Sequence, residues 1–234
     1  MANDIRYFNF PIQLLEGFLT DQLKVLNNIC DYAIYDHCLK LEHGTEIQRI
    51  TASAEYFNVT LGSVQRTLKD GKALHNSIDE KSPKVGINLT IFWDYFKNEK
   101  TEFDNVCLLA FLAIKSIVQK KTYCKVDNRF LLARMDGKAK SCDFEQLSSE
   151  IFKYANEYQT KKIKTALRNG WSLTTYSRYT RGFYVSFSMT LESLIYEAEK
   201  RRQSTKEKQY KIAEKEALNN VLLRLKMNTT NARP

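Results

Sequence analysis

The spacing of apolar residues between positions 46 and 74 sharply limits the folds open to this chain. Apolar side chains recur at three- and four-residue intervals up to Phe57, and the spacing resumes after Thr60. Asn58 tolerates the left-handed conformation of a tight turn, and Thr60 can cap a following helix. The pattern predicts a helix-turn-helix over 46–74, with apolar positions Ile47, Ile50, Ala54, Phe57, Val59, Leu61, Val64, Leu68 and Leu74.

The second helix of this pair carries polar residues on its outward face and near its N-terminal end. These are Thr60, Ser63, Gln65, Arg66 and Lys69. In a helix-turn-helix such positions meet base edges and phosphates in the major groove, where glutamine suits adenine and arginine suits guanine or phosphate. We therefore predict these five residues to bind DNA. The alternative is a plain helical bundle in which the same apolar pattern forms only a core.

The segments on either side extend the motif to a first domain. Residues 11–41 predict a short helix from Pro11, a break capped by Thr20 or Asp21, and a longer helix to about Leu41. Residues 73–78 and 85–89 alternate as two strands would, around a polar tip at 79–84. A helix-turn-helix followed by a hairpin is a winged helix. The sequence thus predicts one winged-helix domain over 1–100.

The second half of the chain repeats this order of elements without repeating the residues. We predict a buried helix capped by Asp104, short helices near 130–133 and 144–155, and a helix over 161–168 that Thr160 caps. Residues 171–176 and 182–187 then predict a hairpin. The fold class is mainly α with small β-hairpins, an α+β arrangement of two tandem winged-helix domains (1–100 and 101–190) and a C-terminal helical tail (191–234).

The excess of basic over acidic residues lies entirely in the second half of the chain. Residues 1–100 carry 11 basic and 13 acidic groups, whereas residues 101–234 carry 25 and 14, and the whole chain has a net charge of +9. This asymmetry favours a polyanionic partner, with nucleic acid ahead of membrane. The alternative is that the charged residues of the helix over 161–168 form only a solvated helix face. We predict phosphate contacts in the second domain from Lys161, Lys162, Lys164, Arg168, Arg178, Tyr179 and Arg181.

The C-terminal tail is charged over 199–211 and then carries a sparse apolar set ending near Leu225. This pattern predicts a packing or dimerisation helix, and hence a possible homodimer, while residues 228–234 are expected to fray.

Other classes of function have little support in the residues. The five cysteines are scattered and contain no Cys-x-x-Cys pair, and His37-Cys38 with His43 lacks a fourth metal ligand. There is no glycine-rich phosphate loop and no catalytic triad pattern. No apolar run reaches the length of a membrane span, and the N-terminus does not resemble a signal peptide. We expect a cytoplasmic protein that is not an enzyme and has no metal or cofactor.

Residues Ile50 to Leu74, with Ala54-Glu55-Tyr56-Phe57-Asn58-Val59 leading into Val64-Gln65-Arg66-Thr67-Leu68, resemble winged helix-turn-helix proteins of bacteria and phages. Two such modules in tandem, followed by a helical tail, resemble in architecture the replication initiators of plasmids and phages. This resemblance implies sequence-specific binding of double-stranded DNA at a replication origin. A transcriptional regulator and a winged-helix protein-interaction module are the two alternatives.

Overall fold

The computed structural model describes residues 6–178 and 182–230, with side chains described as far as residue 223. Its contacts divide the chain into two compact units, Met1–Ser188 and Met189–Pro234. Helix accounts for 65% of the chain and strand for 9%, and the strands form two small antiparallel sheets. The expectation of a mainly helical α+β protein is therefore confirmed. The two tandem winged-helix domains, and the boundary between them at residue 100, stay a prediction.

The first half of unit 1 contains four helices and a two-stranded sheet. The elements are β1 (Tyr7–Pro11), a 3-10 helix (Ile12–Leu15), α1 (Gln22–Lys40), α2 (Glu46–Phe57), α3 (Leu61–Ser77), β2 (Lys84–Asn88) and α4 (Leu89–Lys97). The carboxylate of Asp21 accepts a hydrogen bond from the Lys24 amide, 3.0 Å away, so the break and cap before α1 are confirmed.

The hairpin predicted at 73–89 is wrong in its first strand. Residues 73–77 are the last turn of α3, and β2 pairs instead with β1, from Tyr7 opposite Asn88 to Pro11 opposite Lys84. His75 continues the helical face of α3 and stacks on Tyr32 of α1, with ring centroids 5.5 Å apart. Packing against α1 thus extends the helix through residues whose alternation suggested a strand. Pro11 ends β1, and only a 3-10 helix follows it.

The second half of unit 1 contains α5 (Glu102–Val118), β3 (Cys124–Val126), α6 (Asn128–Met135), a 3-10 helix (Phe144–Gln146), α7 (Ser149–Phe152), α8 (Glu157–Gly170), β4 (Thr174–Tyr176) and β5 (Phe183–Ser186). The predicted hairpin is present as β4 and β5. Strand β3, which was not predicted, pairs antiparallel with β5 and completes a sheet of order β3-β5-β4.

Two predicted helix caps in this half are wrong by a few residues. Thr101, not Asp104, caps α5, and Asp104 is the third helical residue of a capping box in which its carboxylate accepts from the Thr101 amide. Asn156, not Thr160, caps α8. Thr160 lies inside that helix and is buried, and its hydroxyl donates to the carbonyl oxygens of Asn156 and Glu157, both 3.1 Å away. Burial of Thr160 explains why it cannot act as an exposed cap.

Helices α1 and α3 approach one another closely at Gly71. A Cβ atom at this position would lie 2.7 Å from Cβ of Tyr35 and closer still to the carbonyl oxygen of Asp31. Only glycine therefore fits at this crossing without movement of α1. This contact therefore sets the position of α3 relative to α1.

Unit 2 contains one helix, α9 (Leu191–Thr230). Leu194 and Ala198 in its first turns are buried, whereas residues 203–223 are exposed. No helix among the residues described is long and apolar enough to cross a membrane.

Candidate functional site

The turn between α2 and α3 has the geometry that the sequence predicts. Asn58 adopts a left-handed conformation, with φ of 54°, and the Val59 amide donates to the Ala54 carbonyl over 3.0 Å. The Thr60 hydroxyl oxygen accepts from the Ser63 amide at 3.2 Å. The two helices and the turn expected over 46–74 are present, with α3 continuing to Ser77. Within the motif, Ala54 and Val64 are buried, whereas Ile47 and Leu61, which also belong to the apolar pattern, are exposed at the helix starts.

Four of the five residues predicted to bind DNA on α3 are exposed: Thr60, Gln65, Arg66 and Lys69. Ser63 is half-buried, and its hydroxyl lies 2.8 Å from that of Thr60, so it helps to form the cap. The guanidinium of Arg66 folds back along α3, where Nε donates to the Gly62 carbonyl at 3.2 Å. The spacing of Gln65, Arg66 and Lys69 places them together on the solvent side of the helix.

Side chains from outside the motif bind the carbonyl groups at the C-terminal end of α2. Nη1 of Arg6 donates to the carbonyl oxygens of Glu55 and Tyr56, at 2.7 and 3.0 Å, and the Trp93 indole donates to that of Phe57 at 3.1 Å. Carbonyls at a helix end have no partner within the helix, so these donors satisfy them. This arrangement could not be predicted from local sequence patterns, because the donors lie 36 to 50 residues from the acceptors in the chain.

The turn is also tied to β1. The phenolic hydroxyl of Tyr56 donates to the carbonyl oxygen of Tyr7 over 2.6 Å. Together with Arg6, this bond joins the end of α2 to the N-terminal strand. The orientation of α3, which follows directly after the turn, therefore depends on the sheet as well as on α1.

The side chains of His37 and Cys38 both contact the hydroxyl of Ser53 on α2. Nδ1 of His37 lies 2.9 Å from the hydroxyl of the buried Ser53, and Sγ of Cys38 lies 3.0 Å from the same oxygen. Burial lowers the pKa of His37 below its usual value. The pair thus links α1 to α2, and the described part of the chain contains no group of three or more histidine, cysteine or acidic side chains placed to hold a metal.

On α8, the structure separates the basic residues that the sequence grouped together. Lys161, Lys162 and Arg168 are exposed. Lys164 is half-buried, and its ammonium lies 4.5 Å from the ring centroid of Phe183 on β5. Burial lowers the pKa of Lys164. This position does not support the predicted phosphate contact from Lys164, because its ammonium packs against the Phe183 ring of β5.

The hairpin that follows α8 brings further basic and aromatic residues to the same region. Arg178 is exposed at the end of the described part of its tip, and Tyr179 and Arg181 lie outside the described residues. Lys125 of β3 is opposite Tyr184 of β5, which is opposite Tyr176 of β4. Paired positions share a face, so these three side chains form a row across the sheet. The signal for Lys125 was the alternation of 124–126, where Cys124 and Val126 are buried, but three residues are too few to distinguish a strand by pattern.

Comparison with known proteins gives no relative to guide the interpretation of these surfaces. No protein-family model, no curated protein and no solved structure matches the chain.

Proposed function

We propose that this protein binds double-stranded DNA sequence-specifically, as a cytoplasmic binding protein and not an enzyme. The proposal rests on the geometry of α2, the turn and α3. One side of α3 packs against α1 at Gly71, and Gln65, Arg66 and Lys69 are exposed. A helix with exposed polar side chains near its N-terminal end suits the major groove. The chemistry of glutamine and arginine side chains matches the base edges found there.

The second half supports a second contact with DNA. Helix α8 is followed by a hairpin, and a third strand from before the helix lies beside that hairpin, which is the helix-and-wing order expected for residues 101–190. Lys161, Lys162 and Arg168 on the helix and Arg178 on the hairpin supply positive charge to this module. Residues 1–100 have the helix-turn-helix but pair β2 with β1 instead of forming a wing. We propose tandem modules in which the first contributes selectivity and the second most of the phosphate contacts.

Among DNA-binding roles we propose origin recognition by a replication initiator of the plasmid and phage type, with a transcriptional regulator as the alternative. Selection of bound duplexes from a random pool, using the full chain, tests this proposal. Directly repeated sites are expected for an initiator, and a palindrome is expected for a dimeric regulator. Recovery of no enriched sequence, together with a duplex affinity that does not fall as salt rises, would favour the protein-interaction module instead.

We also propose that the protein forms a homodimer through α9. Several large apolar side chains in its second half are exposed: Ile212, Leu218, Val221, Leu222 and Leu223. Exposed apolar side chains concentrated on one segment of a helix mark an association surface. A second copy of the same helix would cover them.

A further inference from the structure

A groove between α5 and α8 has a lining unlike that of an ordinary charged helix face. It is bounded by Phe103, Tyr158, Lys161, Lys162, Ala166 and Asn169. Phe103 and Ala166 are half-buried and form its apolar part, whereas the Tyr158 side chain is 73% exposed. Of the described residues that line the groove, two are lysines and none is acidic. The groove therefore combines aromatic surface with positive charge.

The position of Lys162 keeps that charge beside the aromatic surface. Its ammonium lies 4.3 Å from the ring centroid of Phe103, a distance at which the face of the ring attracts a cation. Tyr158 and Lys162 are four residues apart on α8, so they are neighbours on one face of the helix. The Phe103 ring is covered by the lysine, and the Tyr158 ring is open to a ligand.

We propose that this groove binds unpaired bases of single-stranded DNA. A duplex presents phosphates and the edges of its bases, but the flat faces of the bases are hidden in the stack, so an exposed tyrosine ring has no stacking partner there. An unpaired base can stack on Tyr158 while Lys161 and Lys162 contact the adjoining phosphates. The lining charge complements a phosphate backbone, and the amide of Asn169 can hydrogen-bond to a base edge. This activity goes beyond duplex binding and does not depend on it.

The test measures binding of the full chain to three fluorescein-labelled probes by anisotropy: a short oligothymidylate, an abasic strand of equal length, and a duplex. We expect the oligothymidylate to bind about tenfold more tightly than the abasic strand, since each base stacked on an aromatic ring contributes measurably. Tyr158→Ala is expected to abolish this difference without changing duplex affinity. Tyr158→Phe, which keeps the ring, is expected to preserve it.

Tyr196 provides a matched control. It is 65% exposed on α9, and the Lys200 ammonium lies 5.9 Å from its ring centroid, so it presents a similar ring beside a similar charge. Tyr196→Ala should leave all three affinities unchanged. Equal affinity of wild type and Tyr158→Ala for oligothymidylate, or no binding of that probe by the wild type, would overturn the proposal. Binding of the duplex alone would leave the proposed function standing, whereas binding of oligothymidylate alone would remove duplex recognition and keep this site.

Discussion

Gly71 of α3 and Asp31 of α1 pack backbone against backbone, with no room between them for a side chain. Because α3 carries the exposed residues that we propose to read DNA, this crossing determines where those residues stand relative to the rest of unit 1. Its tolerance to substitution is open to direct measurement.

Gly71→Ala is expected to destabilise the protein by about 1–3 kcal/mol, because the new methyl group overlaps α1 and forces the helices apart. Chemical denaturation followed by circular dichroism measures the effect. Gly62→Ala is the matched control on the same helix, since a Cβ at residue 62 meets nothing within 4 Å. In Gly62→Ala, the higher helix propensity of alanine should raise the free energy of unfolding by up to about 1 kcal/mol. Equal effects of the two substitutions would contradict the close approach at Gly71.

The bond from Tyr56 to the carbonyl of Tyr7 predicts a smaller loss. Tyr56→Phe removes only the donated hydrogen bond and should lower the free energy of unfolding by about 0.5–1.5 kcal/mol. The exposed ring of Tyr158 offers the control, and Tyr158→Phe should change stability by less than about 0.5 kcal/mol. Thermal or denaturant unfolding of both variants decides the point, and a neutral Tyr56→Phe would show that β1 does not hold the turn.

Asp31 predicts a pH-dependent stability. Burial, and secondarily the charge of Asp70, raise the pKa of Asp31 from 3.8 to about 6. The unfolded chain therefore ionises first as pH rises, and the stability associated with this carboxyl, present below about pH 4, is lost between about pH 4 and 6. Asp31→Asn should be more stable than wild type at pH 7, by about 1 kcal/mol because solvent screens this half-exposed group, and should match it near pH 3.5.

Unfolding of wild type and Asp31→Asn across this pH range measures the difference. Glu80→Gln removes a charge from an exposed position and serves as the control. A constant difference between wild type and Asp31→Asn at every pH would contradict the raised pKa.

Two substitutions separate the roles proposed for the two helices. Arg66→Ala should reduce discrimination at one base position by about 1–3 kcal/mol. Lys161→Ala should weaken binding to all duplexes alike, and it should reduce the slope of log affinity against log salt concentration by about 1, the value for one phosphate contact. Gel-shift titrations on selected and unrelated duplexes at several salt concentrations distinguish the two. A uniform loss for Arg66→Ala would reassign that residue to phosphate contact.

The apolar residues of α9 predict self-association. The pair Leu218→Lys and Leu222→Lys places charge on the exposed apolar segment and should convert a dimer to a monomer, because ammonium groups oppose burial in the contact. Light scattering after size exclusion measures the mass. Lys211→Glu and Lys215→Glu, on the same helix, alter charge without removing apolar surface. A wild-type mass equal to the monomer at all concentrations would end the dimer proposal.

Elements whose causes are local could be predicted from the sequence. Periodic apolar residues specified α2 and α3, Asn58 and Thr60 specified the turn and the cap between them, and the alternation after Gly170 specified β4 and β5. These signals act over a few residues, through helical spacing and side-chain bonds to nearby amides. The exposure of Gln65, Arg66 and Lys69 followed from the same spacing.

Which distant segments meet depends on tertiary packing. The pairing of β1 with β2 joins residues nearly 80 positions apart, and packing on α1 kept residues 73–77 in α3 when their alternation suggested a strand. Contact with Phe183 turned Lys164 away from the exposed face of α8, and the approach of α5 put Phe103 beneath Lys162. Sheet pairing and side-chain burial depend on partners far along the chain, and no local pattern of residues specifies them.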